Sequence, residues 1–483
     1  MLSQIMDFPW KFLLLVLIVE GIQAAADLPK HMNAFLHVVE SLEAQHPSLE
    51  PLTLVRELRR VAMLDSPFIQ TYLGALEKHS RPITVNATVQ KYLSSVMQHK
   101  VTSSGVEKGV VLTHDGTTVA LAPLLLGIEA GLQTVSRGRV RGLHPLTLPK
   151  TLALSFLHHF RSPVHSRSPH FGPDGCWDNV ASPQVFTLSG EPSLATDAEI
   201  NGCMDAVILG MEVSDPARRP AKLSTLLRRY YSYRLTAKGL GAAPRLISAK
   251  RRQNLKRLVR PEQLKKQVRS ALAMHQKLNR SKTKQQKMRR NTLENMVEEG
   301  VRAFEHRYMV CPAIIPRCQW GAEAYRGEPT ILSLPLSFLY IHHTSSPSEP
   351  CLTFEACSRD MRSMQRFHQE DRGWDDIGYS FVAGSDGYIY EGRGWHWQGA
   401  HTKGHNSRGY GVSFIGDYMA HVPSSSALNL VKHDLATCAV SGGRLVQDYV
   451  VHGHKQVVAG TSCPGDALYA NVQNWEHYKE VQS

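Results

Sequence analysis

Three stretches carry side chains able to hold a metal ion: His342-His343 in LYIHHT, His452-Gly453-His454 in VVHGHK, and Cys463 in GTSCPGD. A catalytic zinc site takes three N, S or O ligands from the protein and leaves its fourth position to water. Two imidazoles and one thiolate suit the borderline-soft character of zinc. An ion held this way polarises a carbonyl and brings the pKa of water down to ~7, which is what hydrolysis of an amide requires. On residue types alone, Cys463 also reads as half of a disulfide, and each histidine as an ordinary strand-end residue.

Positioning such donors takes a sheet, and the flanking sequence predicts one. LPLSFLYIHHT is an apolar run expected to form a central strand that ends in histidines. TFEACSRDMRSMQRFHQ reads as a helix with Thr353 as N-cap and Met361, Met364 and Phe367 on its buried side. IGYSFVAGSDGYIYEGRG is a hairpin, with Tyr379–Ala383 and Tyr388–Glu391 flanking Ser385-Asp386-Gly387. GYGVSFIGDY and DYVVHGH are further strands, SSALNLVKHDLATCAV a helix and PGDALYANVQNWEHY a closing helix. Strands with interspersed helices predict a mixed sheet packed between helices.

The motifs YIHHT, GWDDIGYSFVAGSDGYIYEGRGWHWQGAHTKGHNSRGYGVSFIGDY, GHKQVVAGTSCPGDALY and the entry segment CPAIIPRCQWGA, in that order, resemble the peptidoglycan recognition protein family. The resemblance covers about Cys311–Tyr478, and the chain as a whole resembles the long secreted form. It implies a zinc amidase fold, an α/β domain with a groove over the metal, and hydrolysis of the N-acetylmuramoyl–L-alanine bond of bacterial peptidoglycan. Carried over residue by residue, it makes His342, His454 and Cys463 the zinc ligands. Members with serine at the Cys463 position bind peptidoglycan without cutting it, so the cysteine separates amidase from non-catalytic receptor. Tyr379 matches the active-site tyrosine and Thr461 a threonine two positions before the cysteine; the alternatives are a core aromatic and a turn residue. Nine positions separate His454 from Cys463, one more than in the family pattern, with the extra residue in VVAGT where a glycine could absorb it. His343, His396, Trp397, His401, Asn406 and Arg408 are the candidates for binding muropeptide, with Arg408 able to meet a carboxylate as a charge-assisted fork. The resemblance also implies a Cys351–Cys357 disulfide; Cys311 with Cys438 could form a longer staple, with Cys318 either free or competing with Cys311 for Cys438.

Near its start, from Pro9, the chain reads PWKFLLLVLIVEGIQAAADLP: one lysine, a short apolar run, then small residues. This is the layout of a signal peptide over residues 1–26, expected to be cleaved from a secreted protein with no transmembrane anchor. Asn86-Ala87-Thr88 and Asn279-Arg280-Ser281 are glycosylation acceptors consistent with that route. Residues 27–215 read as a mostly helical domain of unassigned role. Met32, Phe35, Leu36, Val39 and Leu42 lie on one helix face, LAPLLLGIEAGL is a buried helix, and GVVLTHDGTTVALA is a hairpin. Cys176 and Cys203 could close a disulfide there. Residues 241–290 hold 17 Lys/Arg against the single acid Glu262. That balance, with Pro261 interrupting a thin apolar stripe, predicts a basic, partly disordered linker over 216–305 before an amidase domain at 306–483. The linker's alternative role is binding anionic wall polymers; nucleic acid is not expected of a secreted chain without a recognition motif.

Overall fold

A computed structural model of the chain describes residues 31–76, 83, 85–98, 100–101, 107–134, 143–161, 197–231, 246–279, 290–317 and 319–481. The signal segment, Cys176, Cys318 and the residues following Asn279 in its acceptor triplet lie outside these ranges.

The N-terminal region begins with α1 (Met32–Gln45), α2 (Pro51–Val61), α3 (Pro67–Leu73) and α4 (Ala87–Met97). The five apolar residues expected on one face of α1 are all buried. Ser66 caps α3 by accepting from the Ile69 amide, with Pro67 at the first helical position, where its missing N–H costs nothing. The hairpin of β1 (Val110–Leu112) and β2 (Thr118–Ala120) runs directly into α5 (Leu121–Thr134). Every residue of α5 from Leu121 to Gln133 is buried, which explains a sequence apolar on all sides. Its main partner is α7 (Asp197–Val213), which follows α6 (Leu148–Arg161).

Small residues let α5 and α7 approach backbone to backbone. A Cβ on Gly131 would collide with the carbonyl oxygen of Gly210, and one on Gly127 with Ala206. Because backbone cannot swing aside as a side-chain tip can, Gly131→Val is expected to lower unfolding free energy by roughly 3 kcal/mol or more. A urea melt of the full chain checks this; an unchanged midpoint would contradict the close contact.

The described residues of the segment expected to be a linker are folded. It forms α8 (Leu223–Tyr231), α9 (Ile247–Leu258), α10 (Pro261–Asn279) and α11 (Arg290–Glu305). Pro261 does not interrupt one helix; it starts a second, at the position where proline is tolerated. Leu255, Leu264, Val268, Leu272, Val297, Val301 and Phe304 are fully buried and join a core that also contains Phe156 and Met204. The helical region therefore continues past 215 to Tyr308. Charge counting misled here because many of the cations have partners. Arg251 is buried against Asp205, while Lys265 and Arg269 pair with Glu294 and Glu298 of α11. Residues 280–289, which hold five of the 17 cations, lie outside the described ranges.

The C-terminal region is a six-stranded mixed sheet: β3 (Ile314–Ile315), β4 (Leu336–His343), β5 (Phe381–Ala383), β6 (Ile389–Glu391), β7 (Gly409–Phe414) and β8 (Leu445–Gly453). Their spatial order is β8-β4-β7-β5-β6-β3, with only the β5–β6 hairpin antiparallel. β4 lies between two parallel neighbours, so its apolar run is covered on both faces. Against one face pack a helical run over residues 425–441 and the short helix Asp466–Val472; this last is shorter than the closing helix expected. Against the other packs α12 (Phe354–Arg366), capped as predicted by Thr353, whose hydroxyl accepts from the Ala356 amide. Phe367 departs from expectation. A π turn over Phe367–Asp371 shifts the helical phase, so His368 and Gln369 turn inward and Phe367 is left exposed.

The two regions meet through buried polar groups. The Asp115 carboxylate in the β1–β2 turn accepts from the Tyr388 hydroxyl (2.9 Å), the Ser248 amide (2.9 Å) and the hydroxyls of Thr113 and Thr117 (2.5 and 2.7 Å). Beside it, Gln319 donates to the Gly116 carbonyl, and a Cβ on Gly116 (φ +79°) would strike the Phe354 ring. Disulfides Cys311–Cys438 and Cys351–Cys357 are both formed. The expected Cys176–Cys203 bridge is not supported: Cys203 is a free, fully buried thiol on α7 that donates to the Thr151 hydroxyl at 3.3 Å.

Candidate active site

Strand register assembles the cluster that the sequence leaves scattered. β4 and β8 are parallel with Tyr340 opposite His452 and Ile341 opposite Gly453, so both strands deliver histidines to the same edge of the sheet. Side chains alternate along a strand, which puts Phe338, Tyr340 and His342 on one face. His454 begins a short helix just beyond β8, and its ring centre is 4.4 Å from that of His342. The chain then returns so that the Lys455 amide donates to the Cys463 carbonyl at 2.7 Å. Gly460, at φ +81° with open space around it, takes the turn that a side chain would strain; the longer loop therefore closes. One donor atom each from His342, His454 and Cys463 lies within 4.8 Å of the others.

The donors are oriented for a shared cation. His342 Nδ1 is 3.5 Å from Cys463 Sγ, while its Nε2 is 3.2 Å from the Thr402 hydroxyl, leaving Nδ1 for the cluster. His454 Nδ1 is buried with no hydrogen-bond partner, an orphaned polar atom of the kind a metal satisfies. Burial, reinforced by the neighbouring imidazoles, drives His342 well below its ordinary pKa, and burial brings His454 down to about 4. Both rings are thus neutral, the form that ligates. Burial also pushes the Cys463 thiol up to about 12, so thiolate character there depends on a cation.

Around the cluster the expected residues divide. Tyr379 packs against His342 (ring centres 5.4 Å apart) and its hydroxyl donates to the His343 carbonyl at 3.5 Å. Burial raises its pKa, keeping the phenol protonated. The Thr461 hydroxyl accepts from the Cys463 amide at 3.2 Å, so it holds the ligand loop as well as bordering the cluster. His401 is buried between Gly399 and Gly411, 5.4 Å ring to ring from His342; its Nδ1 meets Thr402 at 2.9 Å and its Nε2 is unpartnered. Burial lowers its pKa to about 3.

Other muropeptide candidates lie elsewhere. Strand alternation sends the His343 ring to the opposite sheet face, where Nδ1 accepts from the Tyr418 amide. Its amide donates to Cys463 Sγ at 3.4 Å, and its imidazole helps lower the pKa values of His342 and His454. Trp397 is buried edge-on against Tyr325 and offers no free face, whereas its neighbour His396 is exposed. The Asn406 carbonyl oxygen accepts from the His401 and Thr402 amides, a loop clasp. Arg408 lies over Phe338 at the entry end of β7, four residues along β4 from His342, or ~13 Å of strand. Asn86, the first glycosylation candidate, is exposed and caps α4 by accepting from the Val89 amide; Asn279 ends α10.

Two contributors were not predicted. Thr402 fixes the His342 ring, but a loop threonine gives no sequence signal. His368 packs edge-on against Tyr379 (5.8 Å), stacks on Trp374 (4.7 Å) and accepts from the Gly378 amide; the π turn that aims it inward breaks the helical period that would have revealed it.

A mixed sheet carrying two imidazoles and a thiol to one edge beside a tyrosine defines an amidase of the metal-competent α/β class, and the N-acetylmuramoyl-L-alanine amidase family model matches residues 332–466. N-acetylmuramoyl-L-alanine amidases of Mus musculus and Homo sapiens are 39% and 36% identical to the chain. These alignments cover 95% and 97% of it and 96% and 94% of those proteins. Peptidoglycan-recognition protein 1 of Holotrichia diomphalia is 43% identical over 35% of the chain and 83% of its own length. The crystal structure of peptidoglycan recognition protein-LE in complex with tracheal cytotoxin is 43% identical, covering 35% of the chain and 97% of that one, with a TM-score of 0.34. The chain belongs to the N-acetylmuramoyl-L-alanine amidase family, in the long form of the peptidoglycan recognition proteins, and is an amidase.

Proposed function

We propose that residues 306–483 form a zinc-dependent amidase domain that cuts the amide between the lactyl group of N-acetylmuramic acid and L-alanine in bacterial peptidoglycan. His342, His454 and Cys463 would hold the ion. The observation that carries this reading is their convergence within 4.8 Å with His454 Nδ1 buried and unpartnered. Zinc held there supplies Lewis acidity toward the amide carbonyl and toward water. The protein's own groups do the rest. The Tyr379 hydroxyl, protonated and beside His342, can donate to the oxyanion that develops on the carbonyl oxygen. The Thr461 hydroxyl can donate to the same oxygen while keeping the Cys463 loop in place. His401 Nε2, neutral and unpartnered, is available to accept from a substrate N–H. Exposed His396 remains a candidate for the stem peptide.

The leader-like residues 1–26 and the two disulfides support secretion, where the substrate would be wall fragments met in innate defence. Among the described residues no helix is long and apolar enough to cross a membrane. Exposed Lys256, Arg260 and Lys266 remain available to anionic wall polymers.

The test is hydrolysis of N-acetylmuramoyl-L-alanyl-D-isoglutamine by the full chain before and after chelation, with metal content measured throughout. Activity should follow about one zinc per chain, vanish on stripping and return when zinc is added. Stripped protein that still cuts would refute the zinc reading; loaded protein that binds without cutting would refute the amidase mechanism. Thr402→Val should weaken zinc binding about 10–100-fold by releasing the His342 ring, read by competition with a chelating dye. Unchanged affinity would leave Thr402 a packing residue.

A further inference from the structure

We propose that a cavity in the helical region, remote in sequence from the amidase residues, is a binding site for a phosphomonoester with a short apolar body. The cavity, of about 440 Å3, lies where the end of α7 meets α8 and α9. Its volume suits a small organic ligand.

Four cations face it, against two carboxylates. Lys250, Asn254 and Arg257 are at i, i+4 and i+7 of α9, one face of the helix. Arg229 comes from α8 and Arg218 from the turn after α7. The nearby carboxylates are already engaged. Glu212 accepts from Arg229, and Asp215 lies 3.6 Å from Arg218 while accepting from the Ala217 amide. Asp205 is held by both sides of the Arg251 guanidinium and by the Tyr230 and Tyr231 hydroxyls. The Lys250 ammonium rests 4.4 Å from the centre of the Tyr230 ring, within the field of Glu212 and Asp205, whose hydrogen bonds go to the arginines and tyrosines just named. A half-buried ammonium resting on a ring face still has strong donors to offer.

The rim sets the class of anion. Arg229 and Arg257 flank Lys250, so a doubly charged head gains from several cations at once, as a phosphate monoester would. The remaining wall is apolar, formed by Ile208, Leu258 and Met211, the last being 42% exposed. An inorganic anion would leave that wall wet; a phosphate bearing a short hydrocarbon would cover it.

Calorimetric titration of the full chain with hexyl phosphate tests this, with hexanol as the neutral counterpart. Hexyl phosphate should bind one per chain and hexanol should give no saturable heat. Lys250→Gln should weaken binding about tenfold or more. Lys277→Gln, exposed on α10 and outside the cavity lining, should leave it unchanged. Because Lys250 packs on Tyr230, Arg257→Gln on the exposed rim gives an independent reading and should weaken binding about threefold. No saturable heat from hexyl phosphate, or equal affinity in the Lys250 and Arg257 variants, overturns the proposal. Vesicles distinguish the source of the phosphate. Sedimentation of the protein with phosphatidic acid but not phosphatidylcholine, lost in Lys250→Gln, identifies a lipid head group. Binding of hexyl phosphate without sedimentation identifies a soluble phosphomonoester.

Discussion

Cys463→Ser is expected to reduce hydrolysis of a muramyl peptide by roughly a thousandfold or more and to leave the protein with little bound zinc. The size follows from the several kcal/mol that a metal contributes to charge stabilisation in an acyl-transfer transition state. A serine hydroxyl is nearly isosteric but is a poor ligand for zinc at neutral pH. Because the Cys463 thiol is neither in a disulfide nor fully buried, its loss should change thermal stability of the metal-free protein little. That pairing of results separates a ligand from a structural thiol: a structural role would lower stability and activity together. A variant with wild-type zinc content and wild-type rate would remove Cys463 from the site altogether. Binding of uncut muramyl peptide by the variant should persist, since the neighbouring groups that would contact it are unchanged.

Asp115→Ala is expected to cost about 3–5 kcal/mol, the range for removing one partner from a buried charged network. It would leave the Ser248 amide without its acceptor, the Tyr388 hydroxyl with only the Ser248 hydroxyl as partner, and the buried Arg251 with a weaker counter-charge. The effect should appear at the junction of the two regions. A single unfolding transition in the wild type should move down or split, and protease should cut between the helical region and the amidase domain. Tyr388→Phe, which removes one donor and leaves the ring, should cost only about 1 kcal/mol. Burial by itself would raise the Asp115 pKa, but the Arg251 charge and the surrounding donors outweigh it and hold the carboxyl below its ordinary 3.8. A lowered native pKa means the contribution is fully present above about pH 4 and fades as the pH falls through the native value. Asp115→Asn should therefore remove part of the acid-side loss of stability. If domain junction and pH profile are both unaffected, the helical region is tethered to the amidase domain, not locked onto it.

What could be read from the residues and what could not have separate physical causes. Periodicity and turn chemistry are local, so α1, the capped starts of α3 and α12, both hairpins and the central strand β4 were legible from a few residues each. The metal-competent residue types, with family motifs around them, were enough to single out His342, His454 and Cys463. Choosing His454 over His452 on residue types alone was not possible, because both lie at the end of the same strand segment; the structure keeps His452 within β8, stacked on Phe338 and Tyr340.

Non-local pairing decided the remainder. Whether a cation is solvated or buried depends on carboxylates far away in the chain, so the stretch around Arg251 looked like a linker until Asp205, Glu294 and Glu298 were brought to it. The face on which a residue emerges depends on strand phase and on one π turn, which turned the His343 ring to the Tyr418 amide and brought His368 into contact with Tyr379. The sequence by itself determined the chemistry available to this protein, because ligand type is a property of single side chains. Only the tertiary structure decided the locking of the helical region onto the amidase domain. Asp115 and Tyr388 are 273 residues apart, and burial in a shared network, not any local pattern, makes them partners.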